Sequence, residues 1–335
     1  MGGDDLLVRP FVPADEGAVL ELLATSFADW GRIAGFSARD LFRWKHWEGP
    51  FGESLRLVAS VDGQVAGFIA YMRWPMRSGE RTLASMRGVD LAVDPRHRRR
   101  GIGVALIRDG TGAYLPPDVS FTWSNPNERS SSRTRAAGHA SVGGFGVFTP
   151  PHVPLRLRTR LGSRELPRVA LRELAQRWRS AGDVLAELPA DWSGTAGAVR
   201  GSRLHTSRDL DFLRWRYGRF DEYRAVRTSG TGAPRGLAIF RLRTAGRFVT
   251  CHVCELLVSS GDWRTAREVL ADVRRGGAFA AIGCCMPSAL MAARCGLVPA
   301  RGGATIAVNC VERGITPDPT QRSSWSLSLG DLELL

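Results

Sequence analysis

The chain has 335 residues, 44% hydrophobic and 24% charged, the composition of an ordinary globular protein long enough for two domains. No apolar run approaches the ~20 residues of a membrane helix, and the acidic start Met1-Gly2-Gly3-Asp4-Asp5 is no signal peptide, so no membrane association and a cytoplasmic location are expected. The formal net charge of +13 is carried almost wholly by arginine, since Lys45 is the only lysine, which either reflects a GC-rich coding bias or serves polyanionic partners.

In chain order, Leu6 to Pro10 reads as a first strand. Pro13, Asp15 and Glu16 then open a helix whose apolar face is Val19, Leu22, Leu23 and Phe27, with its acids where the helix dipole favours them. A second helix near Ser37 to Trp47 carries Leu41, Phe42, Trp44 and Trp47, either a packing face or a pocket wall. Leu55 to Ser60 and Gln64 to Tyr71 alternate about Asp62-Gly63, a hairpin with a type I′ turn. Ser85 to Val93 is a strand broken by Asp94-Pro95. A further strand is expected over Val119 to Trp123, then a turn at Ser124-Asn125-Pro126-Asn127, a polar helix over Glu128 to Ala137, and a strand near Gly146 to Phe148.

Between the strand ending at Val93 and an apolar segment with Ile102, Leu106 and Ile107 at helical spacing lies Arg98-Arg99-Arg100-Gly101-Ile102-Gly103-Val104. Strand, basic glycine loop and helix in this order make an anion site: the first helical N–H groups lack internal partners, the dipole is positive there, and glycines admit close approach. The spacing is neither that of a P-loop nor of the dinucleotide fingerprint. Arg98-x-x-Gly101-x-Gly103, preceded by Val93-x-Pro95, resembles the acyl-CoA loop of the GNAT (GCN5-related) N-acetyltransferases. The resemblance implies a mixed α/β fold with acetyl-CoA or another acyl-CoA as donor. It also implies that Leu91 and Val93 pair with the pantetheine arm, with Asn125 and Asn127 near the pantetheine or adenine.

Residues 164 to 180 read as a charged amphipathic helix and Asp191 to Ser202 as a loop. An internal repeat follows. Asp40-Leu41-Phe42-Arg43-Trp44-Lys45 recurs as Asp211-Phe212-Leu213-Arg214-Trp215-Arg216, an offset of 171. Gly67 recurs as Gly236, Glu255-Leu256 takes the place of Asp90-Leu91, and Ser288 to Leu297 that of Asn127 to His139. Val258, Gly261, Trp263 and Arg264 stand where the anion loop should be, so the second copy keeps the scaffold without the site. The expected organisation is therefore two tandem GNAT-like domains: residues 1–150 with the acyl-CoA loop, 151–205 as linker and helix, and 206–335 as a degenerate copy. The ending Trp325 to Asp331 resembles the tail of such two-copy proteins.

For acyl transfer to an amine, the resemblance makes Asp90 the candidate general base, because family members place a Glu at this strand position. His139 and Glu48 are the other candidates, histidine for its pKa near neutrality. The family's acid is a tyrosine four residues before the glycine; here that position is Thr134, leaving Ser130, Ser131 or water, or a thiolate that departs without an acid. No metal is expected: Cys251 and Cys254 sit in a strand-like run, and no second pair completes a zinc set among the six cysteines. The expected acceptor is a small-molecule amine and the expected assembly a monomer or homodimer. A carrier-protein or aminoacyl-tRNA donor, and a non-catalytic acyl-CoA sensor, are the alternatives.

Overall fold

The structure is a computed structural model and describes residues 6–27, 30, 36–151, 168–192, 202–228, 233–245, 248–277 and 281–332. Positions 1–5, 164–167 of the expected charged helix and 193–201 of the expected loop lie outside the described residues. The elements begin β1 (Leu6–Pro10), α1 (Glu16–Ser26), α2 (Ala38–His46), β2 (Leu55–Val61), β3 (Gln64–Arg73), β4 (Met76–Ser78), β5 (Arg81–Leu83) and β6 (Ser85–Val93). They continue with α3 (Ile102–Gly110), β7 (Phe121–Ser124), α4 (Glu128–Ala136), β8 (Ala140–Thr149), α5 (Arg168–Ala175), β9 (Arg179–Ser180), α6 (Ala181–Ala186), β10 (His205–Thr206) and α7 (Leu210–Leu213). After a π-helical turn at Arg214–Gly218 come β11 (Tyr223–Arg227), β12 (Gly236–Ala245), β13 (Phe248–Val258), α8 (Trp263–Arg275), β14 (Ala281–Cys284), α9 (Ala289–Arg294), β15 (Val298–Cys310) and α10 (Leu329–Leu332). The chain forms two compact units, Met1–Gly143 with Thr305–Ser324, and Gly144–Ala304 with Trp325–Leu335.

In the first unit β1, β2, β3 and β6 run antiparallel in that order, and β7 joins β6 in parallel. The outer side of β7 is closed by residues 307–310 of β15, antiparallel. The turn at Asp62 and Gly63 has φ of +50° and +77°, the pair of left-handed residues a type I′ hairpin requires. Helix α2 begins with a capping box in which Ser37 Oγ accepts from the Asp40 N–H at 3.1 Å. Its Leu41, Phe42 and Trp44 are fully buried, with the Phe42 ring against Phe11, Phe68 and Trp47, so the aromatic face is core packing. On the other side of the sheet α3 lies very close to β3. A Cβ on Gly67 would stand 2.8 Å from Ile102 Cγ2, so only glycine permits this approach.

The second unit repeats this plan. Strands β11, β12 and β13 are antiparallel and β14 is parallel to β13. The far edges are held by β9 on β11 and by Phe148 of β8 beside Cys284. A Cβ on Gly236 would stand 2.5 Å from Thr265 Cγ2 of α8, the same close approach at the repeat-related glycine. Ser288 caps α9 and Gly296 follows it with φ +71°, as Asn127 caps α4 and Gly138 follows with φ +89°. Cys251, Cys284 and Cys295 pack into the apolar core of this unit. Among the described residues none of the helices is long and apolar enough to cross a membrane.

Candidate active site

Strand β6 carries the site because its two flanks are treated differently. Its pairing with β7 stops at Gly88 opposite Ser124, while its pairing with β3 runs on to Val93 opposite Gly67. Along the way Phe68 faces Ala92 and Ala70 faces Val89, so Asp90 and Leu91 together oppose the single residue Ile69: a bulge. Asp90 takes φ +56°, a left-handed conformation that strains a non-glycine residue. Residues 88 to 91 and Val93 are only half-buried although they lie mid-sheet, because this side of the strand borders a cavity of about 650 Å³.

Asp90, Leu91, Val93, Arg98, Asn125, Asn127 and His139 all line that cavity, joined by Phe27 and Tyr71. Residues 99 to 104 form the adjoining loop and the first turn of α3. Gly101 holds the helix N-cap at φ +79° and no side chain caps the helix. Arg99 is left-handed as well, at +65°. Left-handed residues at 99 and 101, followed by an uncapped N-terminus, leave backbone N–H groups turned outward, an anion cradle. Gly103 is needed for a different reason: a Cβ there would sit 2.9 Å from Arg133 Cδ.

The carboxylate of Asp90 is nearly enclosed and fully engaged. Lys45 Nζ donates to Oδ1 at 2.7 Å, and His46 Nε2 lies 3.1 Å from Oδ2. His46 Nδ1 in turn meets Ser54 Oγ at 3.2 Å. Burial favours the protonated acid, yet the Lys45 charge and the His46 hydrogen bond outweigh it and hold the Asp90 pKa at about 2. Burial pushes His46 down, so its ring is neutral near neutrality. Lys45 and His46 were missed in the sequence, although the isolated lysine in an arginine-rich chain was a signal.

His139 is buried, and desolvation drops its pKa to about 4. Both ring nitrogens are enclosed by protein and meet no hydrogen-bond partner among the described residues. Glu48 is exposed and does not line the cavity. Thr134 lines it, with its hydroxyl donated to the Ser131 carbonyl at 3.0 Å. The two asparagines have structural duties: Asn125 Nδ2 donates to the Thr305 carbonyl at 3.2 Å, and Asn127 Oδ1 accepts from the Ser130 N–H at 3.0 Å.

The corresponding places in the second unit are filled. Asp262 caps α8, its Oδ1 accepting from the Thr265 N–H at 3.0 Å, so a carboxylate of the chain itself sits at this helix N-terminus. Pairing of β13 with β14 stops at Val253, and beyond it Glu255 is wholly buried. Glu255 accepts from Arg208 Nε at 2.6 Å, Tyr217 Oη at 2.8 Å and Ser328 Oγ at 2.9 Å. Ser328 belongs to a C-terminal stretch, 324–332, that is buried throughout.

Residues 18–114 match the model of the acetyltransferase (GNAT) family, and this stretch is a GNAT acetyltransferase domain. The fold as a whole is shared with solved GNAT structures. A GCN5-related N-acetyltransferase from Anabaena variabilis superposes with a TM-score of 0.59 at 14% identity, over 92% of this chain and 73% of that one. Eis1 from Mycobacterium abscessus gives 0.53 at 13%, over 92% and 74%. A tandem GNAT protein from the clavulanic acid biosynthesis pathway gives 0.50 at 16% identity, over 93% of this chain and all of its own. No protein of curated function matches the sequence.

Proposed function

We propose that the first unit is an N-acyltransferase, moving an acyl group, acetyl in the simplest case, from a CoA thioester to the amine of a small molecule. The observation that carries this is the open flank of β6, which leads from the arginine–glycine loop into the cavity at Asp90. A thioester arm laid along residues 89–93 would take the place of the missing strand partner, with its phosphates at the uncapped N-terminus of α3.

Asp90 and His139 are the residues proposed to handle the amine. Asp90 stays ionised across the physiological range and accepts a hydrogen bond from the amine, stabilising the positive charge that builds on nitrogen during attack. The nitrogen–carbon bond forms, the carbon–sulfur bond breaks, and the amine proton passes to water or to neutral His139 once its ring turns to the ligand, while Asp90 remains the anion. With threonine at position 134 the family's tyrosine acid is replaced, and the Tyr71 hydroxyl in the cavity wall is given to the Ile107 carbonyl at 3.2 Å. The thiolate, of pKa about 8.5, departs as the anion or takes its proton from water. The second unit is the degenerate partner and contributes no donor site.

Native mass spectrometry with acetyl-CoA and with CoA, followed by a product screen over amine metabolites, tests the proposal. A CoA adduct and an acylated amine are expected. Failure to bind CoA at all refutes it.

A further inference from the structure

The chain contains 46 lysine and arginine residues, and only one of them is lysine. That lysine is Lys45, whose Nζ lies 2.7 Å from Asp90 Oδ1 with the two side chains 7% and 9% exposed. A guanidinium is broad, planar and delocalised, whereas an ammonium places a compact charge in a small slot. The one retained lysine thus stands where a point charge is demanded.

The internal repeat separates scaffold from function. At the offset of 171, His46 corresponds to Tyr217 and Lys45 to Arg216; Asp90 corresponds to Glu255 at an offset of 165. Tyr217 Oη donates to Glu255 at 2.8 Å just as His46 meets Asp90, so this contact belongs to both copies. The lysine contact does not. Arg216 turns instead to the Tyr223 hydroxyl at 3.1 Å, and Glu255 draws its cation from Arg208. The backbone divides the same way, since Asp90 is left-handed and Glu255 is not among the positive-φ residues. The strand bulge itself recurs, at Cys254 of β13; the lysine contact, the left-handed residue and the arginine–glycine loop occur together in the first copy alone.

We propose that Lys45 is a positioning residue for acyl transfer, acting through Asp90: its ammonium holds the carboxylate in the left-handed bulge, fixing both the carboxylate and the unpaired strand beyond it. This rests on the acyltransferase reading of the site. A left-handed residue in the middle of a strand carries backbone strain, and a buried carboxylate without a cation takes up a proton. Once protonated, it no longer holds the amine. His46 on α2 faces the pair, with Arg56 on β2 acting on His46 from beyond it; Tyr71, Arg98, Arg133 and His139 line the cavity.

Three variants test it: Lys45→Met, Lys45→Arg, and Lys45→Met with Asp90→Asn, which leaves no unpaired buried charge. Carboxyl-carbon NMR on aspartate-labelled protein should show Asp90 titrating at about 2 in the wild type and several pH units higher in Lys45→Met. In that variant kcat should fall on the order of 100-fold, the usual effect of a misplaced group. The KM for acyl-CoA should stay within about threefold, because the anion loop is untouched. An acid limb should appear in the pH–rate profile at the pH where Asp90 titrates, and vanish in the double variant. Lys45→Arg should recover no more than about a tenth of the wild-type kcat. Wild-type kcat in Lys45→Met or in the double variant overturns the proposal, as does an unmoved Asp90 titration. If the wild type acylates no amine, the acyltransferase reading fails, and the carboxyl titration still decides whether Lys45 holds Asp90.

Discussion

Gly101 offers a clean test of the anion cradle. Its φ is +79°, and a Cβ built on it would meet no atom within 4 Å, so a side chain is opposed by backbone strain and not by collision. Asparagine tolerates the left-handed region better than most residues, and aspartate has the same shape with one negative charge. Comparing Gly101→Asp with Gly101→Asn therefore isolates charge at the helix N-terminus. Two unit charges ~4 Å apart repel by about 4 kcal/mol at an effective dielectric near 20, and physiological salt trims this. We expect CoA to bind the Asp variant more weakly than the Asn variant by about 2–3 kcal/mol, roughly 30- to 150-fold in Kd by titration calorimetry. Both variants should lose similar stability, on the order of 1 kcal/mol. Equal CoA affinity in the two variants would refute the assignment of the phosphates to this turn.

Calorimetry on the wild type should give one CoA per chain, because Asp262 already occupies the helix N-terminus of the second unit; Asp262→Ala should cost about 1 kcal/mol of thermal stability without raising that ratio. Gly67→Ala and Gly236→Ala should each lower the denaturation midpoint by an amount worth about 1–3 kcal/mol, since each new methyl stands within 3 Å of a helix side chain, while Gly146→Ala, in open space, should cost little. Acid unfolding should proceed in two windows. His139 titrates near 4 in the fold against 6.5 when unfolded; the unfolded chain gains a proton the fold refuses, and about 3 kcal/mol is lost as pH falls from 6.5 to 4. Asp90, at about 2 against 3.8, adds stability that is whole above pH 3.8 and declines by about 2 kcal/mol toward pH 2. Denaturant melts across pH 2–8 should show His139→Gln flattening the upper window and Asp90→Asn the lower; a variant with the wild-type slope removes that residue from the account.

The sequence by itself determined the local chemistry of this protein. The Asp62-Gly63 turn, the capping residues Ser37 and Asn127 and the Arg98-x-x-Gly101-x-Gly103 loop are each set by a few adjacent residues, whose backbone preferences act over one turn of chain. The repeat was legible for the same reason: Gly67 and Gly236 answer one local need, a helix laid close on a strand. What only the tertiary structure decided is what meets what across long stretches of chain. Nothing in the sequence joins residues 307–310 to β7, because an edge strand satisfies its hydrogen bonds with any partner of suitable twist. The pairing of Asp90 with Lys45, 45 residues away, was equally hidden, since a charged side chain carries no record of its partner. That contact turns a carboxylate read as a base into an anion held near pKa 2. Burial, a property of the whole fold and of no single segment, sets its strength.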